Sequence, residues 1–383
     1  MIDRGPITGG CAVGSAGHLV PSHVVPLAAP GALATTARGL LRKNGAVSVN
    51  WSASPGFWRW IVGFTRSCTR QSVASAAPAL SGLASLSTEI WDHWLARSSR
   101  SPMTSGLLDV YRDTRTFERA RAHADELRRW GVTVVEMDGL EAVAMEPALR
   151  GPVAGAVHLV DDRSVDPRVV MADLVDRVRS AGVELRPSCE VVDLEAADGR
   201  VRVLRTSAGD IAADHVVVAA GAWTGRIAER LGERIAMLAA KGLSVTVDRP
   251  DNGPRRPLLL GEDHVAVGPM GEQLRLSAWF QLNDFDTHVS PDRITRLEAI
   301  ARCRLHLEPT LRVRQRWAGL RPVTPDGVPI IGPSSQWANV TIAAGHSMVG
   351  LTLGPGTGRL VAQLVCGEPT SVPIERFAAG RFR

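Results

Sequence analysis

Apolar residues along the chain switch between two periods, and the switches mark the elements. From Thr114 to Trp130, Phe117, Ala120, Ala124, Leu127 and Trp130 recur at three- and four-residue steps and stop at Gly131, which predicts an amphipathic helix feeding a strand at Val132–Glu136. Asp138 with Glu141 three residues on has the spacing of a capping box and predicts a short helix. Asp166-Pro167 gives an N-cap followed by proline at the first helical position, so a helix should run to Gly182 and lead into a strand at Val183–Arg186. A meander follows: Val191–Leu194, a turn at Asp198-Gly199, Val201–Arg205, a turn at Gly209-Asp210, and the run His215–Gly221, whose unbroken apolar character predicts a fully buried strand. Short strands are expected from Lys241 to about Phe285 and a helix from Ile294 to Leu307. A buried strand at Val340–Ala344 ends at Gly345, and after a loop at Gly354–Gly358 the last helix should run from about Gly358 to Val365. Earlier, Ser54-Pro55-Gly56 opens onto Phe57, Trp58, Trp60, Ile61 and Phe64 and then an Ala/Ser/Leu-rich stretch to about Arg97, all expected to be helical. At this spacing the aromatic cluster reads as core, with contact to a membrane surface as the alternative. The fold class is α/β with α+β elements, built on two sheets.

Composition narrows the function classes. With 45% hydrophobic and 22% charged residues the 383-residue chain is not disordered, and 37 Gly with 24 Pro argue against an all-helical bundle. The net charge of +5 is scattered, nearly all of it as arginine, since Lys43 and Lys241 are the only lysines. The densest basic pairs, Arg128-Arg129 and Arg255-Arg256, have no interleaved aromatics, so nucleic acid is not an expected partner. Five widely spaced cysteines without a C-x-x-C form neither a disulfide framework nor a zinc site, and a reducing cytoplasm fits them. No basic-then-apolar leader and no apolar run of roughly 18 residues is visible, so membrane contact would be peripheral, on the inner face.

Two segments carry chemistry. Strand Val340–Ala344 delivers the loop Gly345-His346-Ser347-Met348-Val349-Gly350 to a helix whose free amides point back at it, an arrangement that stabilises an anion such as a reduced flavin ring, or else an ordinary glycine-rich connection. In Trp317–Gly332 the turn Pro325-Asp326-Gly327 follows an apolar strand that ends in Arg321. An arginine so presented can grip a carboxylate with two parallel hydrogen bonds, or form a structural ion pair. Tyr111, the only tyrosine, sits in an apolar strand and reads as core.

Trp317–Gly332, the segment Ala343–Leu360, Val218-Ala219-Ala220-Gly221-Ala222-Trp223, and the early Gly17–Pro21 and Pro26–Gly31 together resemble the FAD-dependent D-amino-acid oxidase family, closest to its bacterial D-amino-acid dehydrogenase branch with glycine oxidase a near relative. The resemblance implies a discontinuous, Rossmann-like FAD-binding domain (1–100, 149–226 and 317–383) and an antiparallel-sheet substrate domain (101–148 and 227–316). It implies FAD as cofactor, Arg321 on the substrate carboxylate, and His346 with Gly345, Met348, Val349, Gly350, Leu351 and Thr352 at the flavin. Gly17, His18, Gly221, Ala222 and Trp223 would pass close to the FAD, and Asp3 and Arg4 would lie at its adenosine ribose. The implied reaction is oxidation of a D-amino acid or a cyclic secondary amino acid, with hydride passing from the α-carbon to flavin N5 and electrons leaving to a quinone or oxygen.

The family opens with strand, G-x-G-x-x-G and helix, whereas this sequence opens at Met1-Ile2-Asp3-Arg4, which matches the tail of the second strand; Gly9, Gly10, Gly14 and Gly17 do not replace the fingerprint. On that pattern roughly 30 residues are expected ahead of Met1 in a full βαβ unit, from an upstream segment or a partner polypeptide. Two alternatives follow: an inactive fragment or partner-dependent subunit that binds no FAD alone, and a sarcosine-oxidase-like amine oxidase with covalent flavin, for which Cys366 is poorly placed.

Overall fold

The computed structural model describes residues 1–34, 36, 45–97, 104–308 and 310–382. The expected boundary between residues 100 and 101 lies outside the described residues. In chain order come β1 (His18–Leu19), β2 (Val47–Val49), α1 (Pro55–Ser67), α2 (Arg70–Leu95), β3 (Thr104–Tyr111), α3 (Thr114–Arg129), β4 (Val134–Asp138), α4 (Gly139–Met145), β5 (Gly155–Ser164) and α5 (Pro167–Ser180). The helix starts follow their caps: Asp138 and Glu141 close both halves of the capping box on α4, and Asp166 accepts from the Arg168 amide at 2.9 Å ahead of α5. The expected strand at Val183–Arg186 reduces to one parallel bridge between Arg186 and Ile2, because Arg186 is the residue that exchanges bonds with Met1 and Asp3.

The meander is β6 (Val191–Ala197), β7 (Arg200–Thr206) and β8 (Gly209–Ala212), a small antiparallel sheet of its own. β9 (Val216–Val218) leaves it and pairs parallel with β16 (Val340–Ala344), which also pairs with β15 (Ile330–Pro333). The described residues therefore form three sheets rather than two. β9 is also not buried throughout: Val216 and Val218 face the core, while Val217 alternates outward and is 42% exposed. Among the described residues β9 pairs only with β16, so its other edge is free.

The third and largest sheet is mixed and ten-stranded. It joins β1 to β5 with β11 (Leu258–Leu260), β12 (Val265–Met270), β13 (Gln273–Leu282), β10 (Leu238–Asp248) and β14 (Val313–Val323). Its apolar face packs with α7 (Pro291–Arg304) into the main core around Leu243, Leu274, Leu276 and Leu297, all within 1% of complete burial. α6 (Thr224–Arg230) lies after the Gly221–Trp223 turn.

The last helix, α8 (Gly350–Cys366), begins eight residues before the expected start and runs straight through the glycine-rich stretch that was expected to be a loop. Pro355 lacks the N–H that would bond the Leu351 carbonyl, but the Trp91 indole of α2 donates to that carbonyl at 3.2 Å, so the usual cost of an interior proline is offset. Gly356 serves close packing: a Cβ there would stand 2.5 Å from Ser87 Oγ, and its amide donates to that oxygen. Gly356 thus lets α2 and α8 touch, and a helix start so rich in glycine carries little side-chain signal and reads as a loop in sequence.

Candidate active site

A single cavity of about 2200 Å³ runs from the N-terminal residues past β9 and the start of α8 to the face of the large sheet. At the sheet end, three adjacent strands build a cationic seat. Arg321 on β14 lies opposite Ala240 of β10, and Gly242 is opposite Gly319. Between β10 and β13 the register shifts, so that Trp279 and Phe280 together face Gly242 in a bulge. Trp279 takes φ +73°, and its carbonyl accepts from Arg321 Nη1 at 2.9 Å. The guanidinium lies flat over Gly242: a Cβ there would be 2.3 Å from both terminal nitrogens. Arg321 makes no ion pair among the described residues, and burial lowers its pKa without a carboxylate to offset it. A desolvated, always-charged fork with donors to spare can grip a carboxylate with two parallel hydrogen bonds.

The segment before β1 closes this end. Arg275, fully buried, donates to Thr246 Oγ1 at 2.9 Å, to the Ser15 carbonyl at 3.1 Å and to the Val13 carbonyl, which fixes the Cys11–Gly17 run against the sheet. Burial lowers its pKa to about 10, so it remains a cation at neutral pH. Cys11 opens onto the cavity; the surrounding walls raise its thiol pKa and the Arg321 charge opposes the rise. Cys366 sits exposed at the far end of α8, about 24 Å along the helix from the cavity.

At the middle of the cavity stand Gly350 and Leu351 at the start of α8, with Met348 and Val349 before them. No side chain caps this helix, so its first-turn amides keep their donors for a ligand. His346 Nε2 lies 2.8 Å from Thr357 Oγ1, and Thr357 gives its only proton to the Leu353 carbonyl. The imidazole must therefore be the donor, which fixes the Nε2–H tautomer and leaves Nδ1 as an acceptor. Burial lowers the His346 pKa to about 4. Because this lies below the free-imidazole value of 6.5, the neutral ring's contribution to stability is complete above pH 6.5 and is lost on acidification through pH 4. His346→Ala should leave the rate profile between pH 5 and pH 9 unchanged in shape while altering flavin affinity and reduction potential; loss of a kinetic pKa with the flavin unaltered would assign it acid–base work instead. His18, whose Nε2 is 3.0 Å from the Val267 carbonyl, is likewise held near pKa 4 by burial.

Asp3 and Arg4 line the same cavity with Gly221, Ala222 and Trp223, and Ala222 packs against Ala239 and Leu320 of the large sheet. The Arg4 guanidinium lies 3.9 Å over the Trp223 ring, and Asp3 is pinned by backbone bonds to Arg186 and Cys189. Three expected site residues lie behind the wall rather than on it. Gly17 (φ +76°) backs onto the Val165 carbonyl, Gly345 (φ +81°) onto the Thr324 methyl, and buried Thr352 accepts from the Val20 amide at 2.9 Å. These three shape the wall.

The cavity suits FAD by its donor set: uncapped helix amides for the anionic ring, apolar walls, and Asp3 beside stacked Arg4 and Trp223 for the nucleotide end. The family model for FAD dependent oxidoreductase, DAO, matches residues 1–364. The chain belongs to this family. As a DAO-family oxidoreductase it is 31% identical over 375 residues to the D-amino acid dehydrogenase of Paramagnetospirillum magneticum, covering 96% of this chain and 88% of the relative. It is 27% identical over 378 residues to the Bradyrhizobium diazoefficiens D-amino acid dehydrogenase, covering 96% and 89%. In fold the DAO-family chain matches glycine oxidase from Geobacillus kaustophilus with TM-score 0.79 and 24% identity, covering 99% of this chain and 91% of that one. Iminodiacetate oxidase from Chelativorans sp. BNC1 gives TM-score 0.71 and 23% identity over 99% and 91%.

The sequence reading missed Gly242, Trp279, Arg275 and Cys11. Gly242 had a signal, a lone glycine within an apolar strand, which marks a bulge or a close approach. Trp279 had none, because its role rests on a carbonyl.

Proposed function

We propose that the chain catalyses FAD-dependent oxidation of a D-amino acid, or of a cyclic secondary amino acid, to the imine, which water then hydrolyses. The observation that carries this reading is Arg321, a buried guanidinium without a protein carboxylate, set in the same cavity as the uncapped end of α8. Bound FAD supplies the two-electron acceptor. The chain's own contribution is placement. Arg321 would hold the carboxylate, the Trp279 carbonyl and the Gly242 backbone would fix the plane of the guanidinium, and the α8 amides would favour negative charge in the cavity centre. His346, neutral and oriented by Thr357, tunes that centre. The named activity of the dehydrogenase relatives supports the D configuration and an acceptor other than oxygen.

At the nucleotide end, the free edge of β9 among the described residues supports a further strand beside the cavity, from an upstream segment or a partner polypeptide, as a requirement for tight FAD retention. The test is to load the chain with FAD and follow keto acid and ammonia with a soluble dye as acceptor, across D- and L-enantiomers of neutral amino acids. D-selective turnover supports the reading; turnover of amines regardless of a carboxylate contradicts it. Flavin released by acid precipitation argues against a covalent link, including one at Cys11.

A further inference from the structure

We propose that the sheet face beside Arg321 is a side-chain subsite for a hydroxyl, with Ser277 and His18 as its partners, so that the preferred substrate carries a hydroxyl on its β- or γ-carbon. The subsite deepens the proposed oxidation and rests on it for turnover, though not for binding. Leu274 and Leu276 of β13 point into the main core, so Arg275 and Ser277 face the other way. Ser244 of β10 stands opposite Ser277, and Gly242, two residues along the same face, lies under the Arg321 guanidinium. Ser277 is therefore a diagonal neighbour of the glycine that seats Arg321, about 7–8 Å from it.

Ser277 lines the cavity, is only 9% exposed, and its buried Oγ has no hydrogen-bond partner. An unpaired buried hydroxyl costs stability, and a ligand hydroxyl set against it offsets that cost. Ala266, opposite Ser277 on β12, adds little bulk beside it. His18 comes to the same patch from β1: its Nε2 is 3.0 Å from the carbonyl of Val267, the residue after Ala266. A carbonyl only accepts, so Nε2 carries the proton and Nδ1 is left as an acceptor. Burial holds the His18 pKa at about 4, so the ring is neutral at pH 7. A hydroxyl can give its proton to such a nitrogen and accept one from a serine. With the carboxylate on Arg321, a hydrogen bond of about 2.8 Å at each end takes up much of the distance to Ser277 and leaves the reach of a short side chain. Arg275 adds no charge to the subsite surface, because its bonds to the Val13 and Ser15 carbonyls bring the Cys11–Gly17 run over it. An ionised side chain would lose its water there without gaining a counter-charge.

The test uses the FAD-loaded chain and isosteric pairs of D-amino acids that exchange hydroxyl for methyl, D-serine with D-2-aminobutyrate and D-homoserine with D-norvaline. Calorimetric binding of 3-hydroxypropanoate and butanoate, which have no amine to oxidise, runs beside it. In the parent the hydroxyl member of at least one amino-acid pair should have the higher kcat/KM, by roughly fivefold for one neutral hydrogen bond. 3-Hydroxypropanoate should bind more tightly than butanoate by a similar factor. Ser277→Ala should bring these ratios to about one, with an unfolding temperature no lower than the parent's, and Ser277→Thr, which keeps the hydroxyl, should retain them. His18→Leu should lower the same ratios, an arm that does not depend on the Ser277 variants folding. Ratios near one in the parent, ratios that survive Ser277→Ala, or faster turnover of D-aspartate than of D-serine would overturn the proposal. A calorimetric preference for 3-hydroxypropanoate that Ser277→Ala abolishes, with no turnover of any amino acid, would refute the oxidation and leave the subsite standing.

Discussion

Arg321→Ala should lower kcat/KM toward amino acids by roughly 10²- to 10⁴-fold, the loss of two charge-assisted hydrogen bonds at about 1.5–3 kcal/mol each. The handling of an amine of the same skeleton without a carboxylate should change little. Arg321→Lys should fall between, with higher KM and lower kcat, because a point charge keeps the attraction but loses the fork that aims the α-hydrogen. Steady-state kinetics of the three proteins on both substrates, with flavin content and thermal unfolding as controls, check this. Equal losses on both substrates with flavin and fold intact would make Arg321 a structural residue.

Gly242→Ala should lower turnover about 10²-fold with the fold preserved. The new methyl would stand 2.3 Å from the guanidinium nitrogens, and what must yield is the end of a flexible side chain rather than backbone. Arg321 then shifts by about an ångström, a displacement that costs on the order of 10² in rate when it misplaces the reacting atoms. The expected signature is a fall in kcat greater than the rise in KM, together with an unfolding temperature near the parent's. An unaltered kcat would show that the plane of the guanidinium is not set by the glycine.

Much of this arrangement was legible in the sequence wherever local chemistry decides it. The capping box at Asp138, the α3 period and strand β16 follow from side chains that act on their own backbone neighbourhood. Arg321 stood out at the end of an apolar strand before a turn and the Gly345–Gly350 loop as a strand-to-helix connection, whereas Asp3, Trp223 and the flavin role of His346 came only from the family resemblance. What stayed hidden depends on partners far along the chain. α8 runs through Pro355 because Trp91, more than 250 residues earlier, satisfies the freed carbonyl. The seat of Arg321 comes from a bulge 42 residues before it. Trp58 and Val217 could not be sorted from their buried neighbours by period alone, since both belong to elements whose other residues do pack inside.

The most direct measurement is anaerobic mixing of the FAD-loaded protein with D-alanine and, separately, with ethylamine, its carboxylate-free counterpart, following the absorbance of the oxidised flavin in a single turnover. The account predicts fast bleaching by D-alanine, little by ethylamine, and in Arg321→Ala a collapse of the difference between them. Equal bleaching by both amines in the parent protein, or a preference for D-alanine that survives in Arg321→Ala, would contradict it.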